Sequence, residues 1–126
     1  KVSDLKERVR IANSMDNALL LSIHQNTFSD SRYHGAQVFY AKTANSAELA
    51  KQLQSTFTST INSGSNRQCK KADGIYLMEH VSCTGILVEC GFLSNPEEEA
   101  RLRSAEYQKK ICCVIASSVS TYLSNT

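Results

Sequence analysis

What these 126 residues lack narrows the field before anything else does. No apolar run approaches the roughly 18 residues that a membrane-spanning helix needs. Charge of one sign is not in excess: 14 basic residues are scattered among 12 acidic ones, for a formal net charge of +2. No stretch interleaves aromatics with a basic run, so nucleic acid is not an expected partner. Five cysteines (Cys69, Cys83, Cys90, Cys112 and Cys113) make neither a CxxC pair nor a zinc-finger spacing. Their odd number and irregular spacing argue against a disulfide framework. Cys112 and Cys113 stand side by side in an apolar helical pattern and read as small hydrophobes. The cysteines therefore leave their own redox state and the compartment open. There is no internal repeat and no low-complexity tract. Lys1 leads into a charged amphipathic segment rather than a secretory leader, which also leaves the compartment open.

What is there reads as one domain, or most of one. A chain of this size buries about two-thirds of the surface it exposes when unfolded, enough for a single core. A hydrophobic fraction of 41% and a charged fraction of 21% suit a globular protein. Val2, Leu5, Val9 and Ala12 recur at helical spacing, with Asp4 and Glu7 placed for a capping box, and predict a helix over residues 4 to 15. The continuous apolar run Ala18 to Ile23, ending at His24, predicts a strand buried on both faces. After a polar loop from Gln25 to His34, Gly35 opens a second strand over residues 36 to 41. Leu49, Leu53, Phe57 and Ile61 form one stripe of a helix over residues 45 to 62. A Ser/Gly/Lys-rich loop then leads to a short strand at Ile75 to Met78 and a buried strand from Gly85 to Glu89. Asn95, Pro96 and three glutamates form a helix start: cap, proline in the first turn, acids at the positive dipole end. A last helix over about 104 to 123 should bury Tyr107, Ile111, Val114, Ile115 and Leu123.

Strands alternating with helices predict a three-layer α/β/α sandwich with a mostly parallel sheet. Three or four strands are few for a sheet covered on both sides, and the chain starts on a helix, so an upstream strand is expected to be missing.

Two residues stand where chemistry gathers in open α/β sheets, at the C-terminal ends of apolar strands: His24 and Glu89. A histidine after a strand is by itself as well explained by a hydrogen-bonded loop. A carboxylate at the end of Ile86–Leu87–Val88 says more, because burying it is costly unless it is paired, hydrogen-bonded or near a cation. The bland alternative is a carboxylate held by the backbone amides of Cys90–Gly91–Phe92.

Four segments, in order, carry a resemblance. Leu5–Lys6–Glu7–Arg8 through Ala12–Asn13 is similar to an "LxxR…AN" helix, and Leu21–Ser22–Ile23–His24–Gln25–Asn26 to a "SIHAN" segment. Gly35 to Tyr40 resembles a "GxxVFY" strand, and Ile86 to Asn95 is close to an "LVExGFLSN" signature. Together they resemble the C-terminal two-thirds of the zinc-dependent N-acetylmuramoyl-L-alanine amidases, over essentially all 126 residues. Gly74 to Val81 is most similar to the sporulation-type members that process spore cortex.

The resemblance implies a peptidoglycan hydrolase acting outside the cytoplasm, in the cell wall or spore envelope. It cuts the amide between N-acetylmuramic acid and L-alanine. It implies one zinc ion held by two histidines and a glutamate, with an open position for water, whose pKa zinc lowers from 15.7 to about 7. By motif match His24 is the second histidine ligand. Glu89 is the carboxylate that takes the water proton and passes it to the leaving amine. The first histidine, in a "GHGG" turn, and the ligand glutamate have no counterpart here, and one histidine cannot hold catalytic zinc. Asn26 and Arg67 are candidate substrate contacts. His34 and His80 are weaker substitutes as ligands, since the family does not use those positions. Expected partners are peptidoglycan and either the missing N-terminal segment or a regulatory protein. Without that segment the chain should expose apolar surface and strand edge, and should associate.

Two other readings remain. Cys90 could serve as a nucleophile with His24 or His80 as base, against which stands the adjacent carboxylate that disfavours a thiolate. Alternatively, the chain is a metal-free, non-catalytic peptidoglycan-binding or interaction module built on the amidase fold.

Overall fold

A computed structural model describes residues 2–126. The elements run α1 (Val2–Asn13), β1 (Leu19–Asn26), β2 (Gln37–Tyr40), α2 (Ser46–Thr60), β3 (Lys70–Lys71), α3 (Tyr76–His80), β4 (Thr84–Phe92), α4 (Pro96–Leu102) and α5 (Ala105–Ser124). The sheet order is β1-β4-β2-β3. β1 and β4 are parallel, as are β2 and β3, while β2 and β4 run antiparallel.

Side chains alternate along each strand, so the sheet has two apolar faces. Val38, Ile86, Val88 and Cys90 face Leu49, Leu53 and Phe57 of α2 and Ile111 and Ile115 of α5. Leu20, Phe39 and Leu87 face the other way, against Val9 and Ala12 of α1 and Leu77 and Met78 of α3. The result is the expected three layers with a mostly parallel sheet. The stripe read from α2 is the centre of the core, with Leu49, Leu53 and Phe57 fully buried. At α4, Asn95 caps with its side chain accepting from the Glu98 amide at 3.0 Å, and Pro96 stands in the first turn.

Several expectations fail for identifiable reasons. Ile75 to Met78 is not a strand: residues 76–80 wind into α3, whose Leu77 and Met78 pack under the sheet. Four apolar residues in a row fit either state, and tertiary packing selects the helix. β1 is not buried on both faces. It is the sheet's outer strand, half-exposed at Leu19 to Ser22 and exposed from Ile23 to Gln25. Leu123 and Val2 are exposed as well. Asp4 lies within α1 rather than before it, and pairs with Arg8. The loop after α2 holds the two-residue strand β3, which no periodicity could reveal.

Candidate active site

Three neighbouring strands bring three polar side chains into one row. His24 on β1 is the register partner of Glu89 on β4, and Glu89 is the partner of Gln37 on β2. Partners in register project to the same face, from strands about 4.8 Å apart. This is the face of Leu20, Phe39 and Leu87. Those residues pack in the apolar cluster under α1 and α3.

Glu89 is half-buried, and its Oε2 is shut away from solvent without a hydrogen-bond partner. Burial raises its pKa, and the neighbouring imidazole of His24 pulls it partly back. A carboxylate oxygen left this way costs stability, and such exceptions mark places where a proton donor or cation belongs. His24 is exposed, with Nε2 2.8 Å from Ser22 Oγ on the same face of β1.

Gln37, at the far end of the row, is buried. Its Nε2 donates to the Gln68 carbonyl at 2.8 Å, and its Oε1 accepts from Arg67 Nη1 at 3.0 Å. Arg67 Nε in turn donates to the His34 carbonyl at 2.7 Å, and the guanidinium lies 4.8 Å over the Phe92 ring. A polar-loop arginine is thus locked beside the row. Asn26 has a different role in the chain path. Its Oδ1 accepts from the Thr27 amide and its carbonyl from the Leu93 amide, closing the strand ends where the β1–β4 register shifts.

Neither substitute histidine is part of the row. His80 stacks on Tyr76 at 4.0 Å and sits before β4 begins, at the end of the sheet opposite Glu89. His34 turns Nδ1 to the Arg32 carbonyl. Cys90 faces the α2/α5 side, away from His24, and is buried. Burial first, then the charges of Glu89 and Cys112, push its thiol up to about 11. Both facts oppose a Cys–His pair.

Sequence reasoning missed Glu98. Its side chain is fully buried; Oε1 accepts from the amides of Gly35 (2.9 Å) and Phe92 (2.6 Å), Oε2 from Gly35 again, and Arg101 lies at 3.8 Å. It ties the entry to β2 to the end of β4, just beyond the row. Gly35 makes the approach possible with φ of 99°, in the left-handed region. A Cβ on Gly91 would lie 2.8 Å from the Glu98 carboxyl carbon. All three glutamates of α4 fit the helix-dipole reading equally, so only the fold separates this one.

Among the described residues no three His, Cys, Asp or Glu side chains converge on a metal-sized site. His24 and Glu89 offer two donors where catalytic zinc takes three from protein. Taken alone, these residues do not fit a zinc centre.

The family model described as N-acetylmuramoyl-L-alanine amidase matches residues 1–121. The chain belongs to the N-acetylmuramoyl-L-alanine amidase family. Among curated relatives it is 37% identical to the germination-specific N-acetylmuramoyl-L-alanine amidase of Bacillus subtilis, over 97% of this chain and 52% of that protein. The amidase LytC of the same organism is 31% identical over 94% of this chain and 24% of its own length. Among solved structures, the CwlD amidase of Clostridioides difficile in complex with the GerS lipoprotein superposes with a TM-score of 0.91 at 38% identity. It covers 99% of this chain and 64% of that one. The AmiC2 amidase of Nostoc punctiforme gives 0.84 at 31% identity, over 94% of this chain and 65% of that one. The chain thus spans about half the length of the germination amidase that it matches. The resemblance carried by the four motifs holds at the level of the family, and that family resemblance includes spore-type members.

Proposed function

We propose that the protein hydrolyses the amide joining N-acetylmuramic acid to L-alanine in peptidoglycan, with Glu89 as proton carrier and His24 as one ligand of a zinc ion. The observation that carries this reading is the pairing of His24 with Glu89 across β1 and β4, with Glu89 Oε2 buried and partnerless. A carboxyl whose pKa burial has raised is suited to take a proton from attacking water and return it to the departing amine. Hydrolysis balances: water supplies hydroxyl to the lactyl carbon and a proton to the alanine nitrogen. Zinc, when bound, supplies a Lewis acid and an acidified water.

One histidine does not hold that ion, so the remaining ligands come from outside these 126 residues, in keeping with a germination-specific relative about twice as long. Arg67 and Asn26 are the substrate-side candidates on this chain, and the geometry favours Arg67, which stands beside the row. The site of action is extracytoplasmic, in wall or spore cortex, as the germination-specific relative suggests. A regulatory partner fits the CwlD relative, which is seen with a lipoprotein.

The absence of a three-donor cluster among the described residues favours a second reading, a metal-free interaction module. Elemental analysis combined with an amide-cleavage assay separates the two. The full-length protein should hold about one zinc per domain and release L-alanyl peptide, while residues 1–126 alone should hold little. Tight stoichiometric zinc on the isolated 126 residues would overturn the ligand assignment. A full-length protein without zinc or turnover would favour the module.

A further inference from the structure

The chemistry of the substrate and the electrostatics beside Glu89 fit together in a way that fixes orientation. In a muramoyl peptide the lactyl carboxyl is consumed in the amide that is cut. The sugar side then carries only hydroxyl and acetamido groups, and every carboxylate lies on the peptide side. On the protein, an open cleft of about 610 Å³ borders Gln37 and is lined by Arg32, Tyr33, Arg67 and Lys70. No acidic residue lines it. Arg32 is answered by Asp30, but among the described residues no carboxylate lies within ion-pair distance of Arg67 or Lys70.

Arg67 is also built in place. Its Nε and Nη1 are committed to the His34 carbonyl and Gln37 Oε1, and its plane lies over Phe92. Among the described residues nothing accepts a hydrogen bond from Nη2. A half-buried guanidinium held on three sides, without a counter-ion, is a pre-organised carboxylate receptor, since little side-chain entropy remains to be lost on binding.

We propose that Arg67 binds a carboxylate of the substrate's peptide and so lays the peptide along the β2/β3 side of Glu89, leaving the uncharged sugar toward β1. This rests on the amidase reading. Arg67 is a specificity residue here: it touches substrate away from the bond that breaks.

The test uses the full-length zinc-loaded protein and two muramoyl peptides, one with its peptide carboxyls free and one with them converted to amides. For wild type, amidation should raise KM about 30-fold with kcat changed little, the pattern of a lost binding contact. Arg67→Met should show the same rise on the free-carboxyl peptide and no further loss on the amidated one, and Arg67→Lys should recover part of it. In calorimetry with the Glu89→Gln protein, L-alanyl peptide with free carboxyls should bind more tightly than its amide, and the difference should shrink with added salt. A wild type indifferent to amidation overturns the proposal, whether or not the Arg67 variants fold. Equal losses for Arg67→Met on both peptides also overturn it, since that outcome marks a purely structural arginine. No cleavage of either peptide sinks the amidase reading instead, and the calorimetric comparison still decides the carboxylate contact.

Discussion

Glu89 and Glu98 stand nine positions apart, one within strand β4 and one in the first turn of helix α4, and their surroundings are opposite. Glu98 is the more deeply buried, yet both of its oxygens accept backbone hydrogen bonds and Arg101 stands nearby. Glu89 is only half-buried, yet one oxygen is enclosed with nothing to bond. Depth of burial therefore does not tell the two apart; incomplete satisfaction does. The first residue holds two chain segments together. The second is the carboxylate to which the proposed function gives a proton to carry.

The strongest way to break this contrast is to remove each carboxyl in turn. If the proposed function holds, Glu89→Gln in the full-length protein should lower kcat about 10³-fold, the scale of a lost general acid–base group, measured as release of L-alanyl peptide. It should not destabilise the fold at neutral pH. Burial raises the Glu89 pKa above the ordinary 4.5, so the folded state holds that proton more tightly than the unfolded chain does. Its favourable contribution is present below the ordinary carboxyl value and is lost as pH rises through the raised one. Melting curves should therefore show Glu89→Gln at least as stable as wild type at pH 7, and should show it losing that advantage as pH falls toward 4.5. A variant markedly less stable at pH 7 would make Glu89 a structural residue.

Glu98→Ala should do the reverse. It strands the amides of Gly35 and Phe92 in the interior and should cost about 3 kcal/mol by denaturant unfolding. Gly91→Ala attacks the same contact from the other side and should cost about 2 kcal/mol, because a Cβ there meets the Glu98 carboxyl. If both were tolerated, the tie between β2 and β4 would be dispensable.

The contrast extends to the two sides of the sheet. β2 is finished: Gln54 donates to the Ala36 carbonyl and accepts from the Val38 amide where β3 does not reach. β1 has β4 on one side alone, and beside it Leu21, Ile23, Ile115, Val119 and Leu123 line an apolar groove. Residues 1–126 alone should self-associate through this edge, and Ile23→Lys should shift sedimentation toward monomer. The smallest effect sharpens the view of the sheet's other face. With its thiol raised to about 11, Cys90 should resist iodoacetamide at pH 8, where the exposed Cys112 and Cys113 react. Cys90→Ser should leave turnover essentially unchanged.

Much of the frame was legible in the chain. Periodicity in α2 named its buried stripe because a single helix face repeats every three to four residues whatever it packs on. Asn95–Pro96 marked the start of α4, since capping is local chemistry. The apolar runs before His24 and Glu89 placed both residues on strands, although the strands run on past them to Asn26 and Phe92. What misled was short or dependent on neighbours. Four apolar residues at Ile75 carry too little pattern to separate strand from helix. The run in β1 says that it is apolar, not whether anything lies on its outer side.

The sequence by itself determined the family, the layer architecture and that His24 and Glu89 each follow an apolar strand run, because these depend on local pattern and on motifs in order. Only the tertiary structure decided that His24, Glu89 and Gln37 form one row, that Cys90 faces away from it, and that Arg67 is locked beside it. Register, sheet order and face are set by contacts between segments far apart in the chain, and no local stretch of residues encodes them.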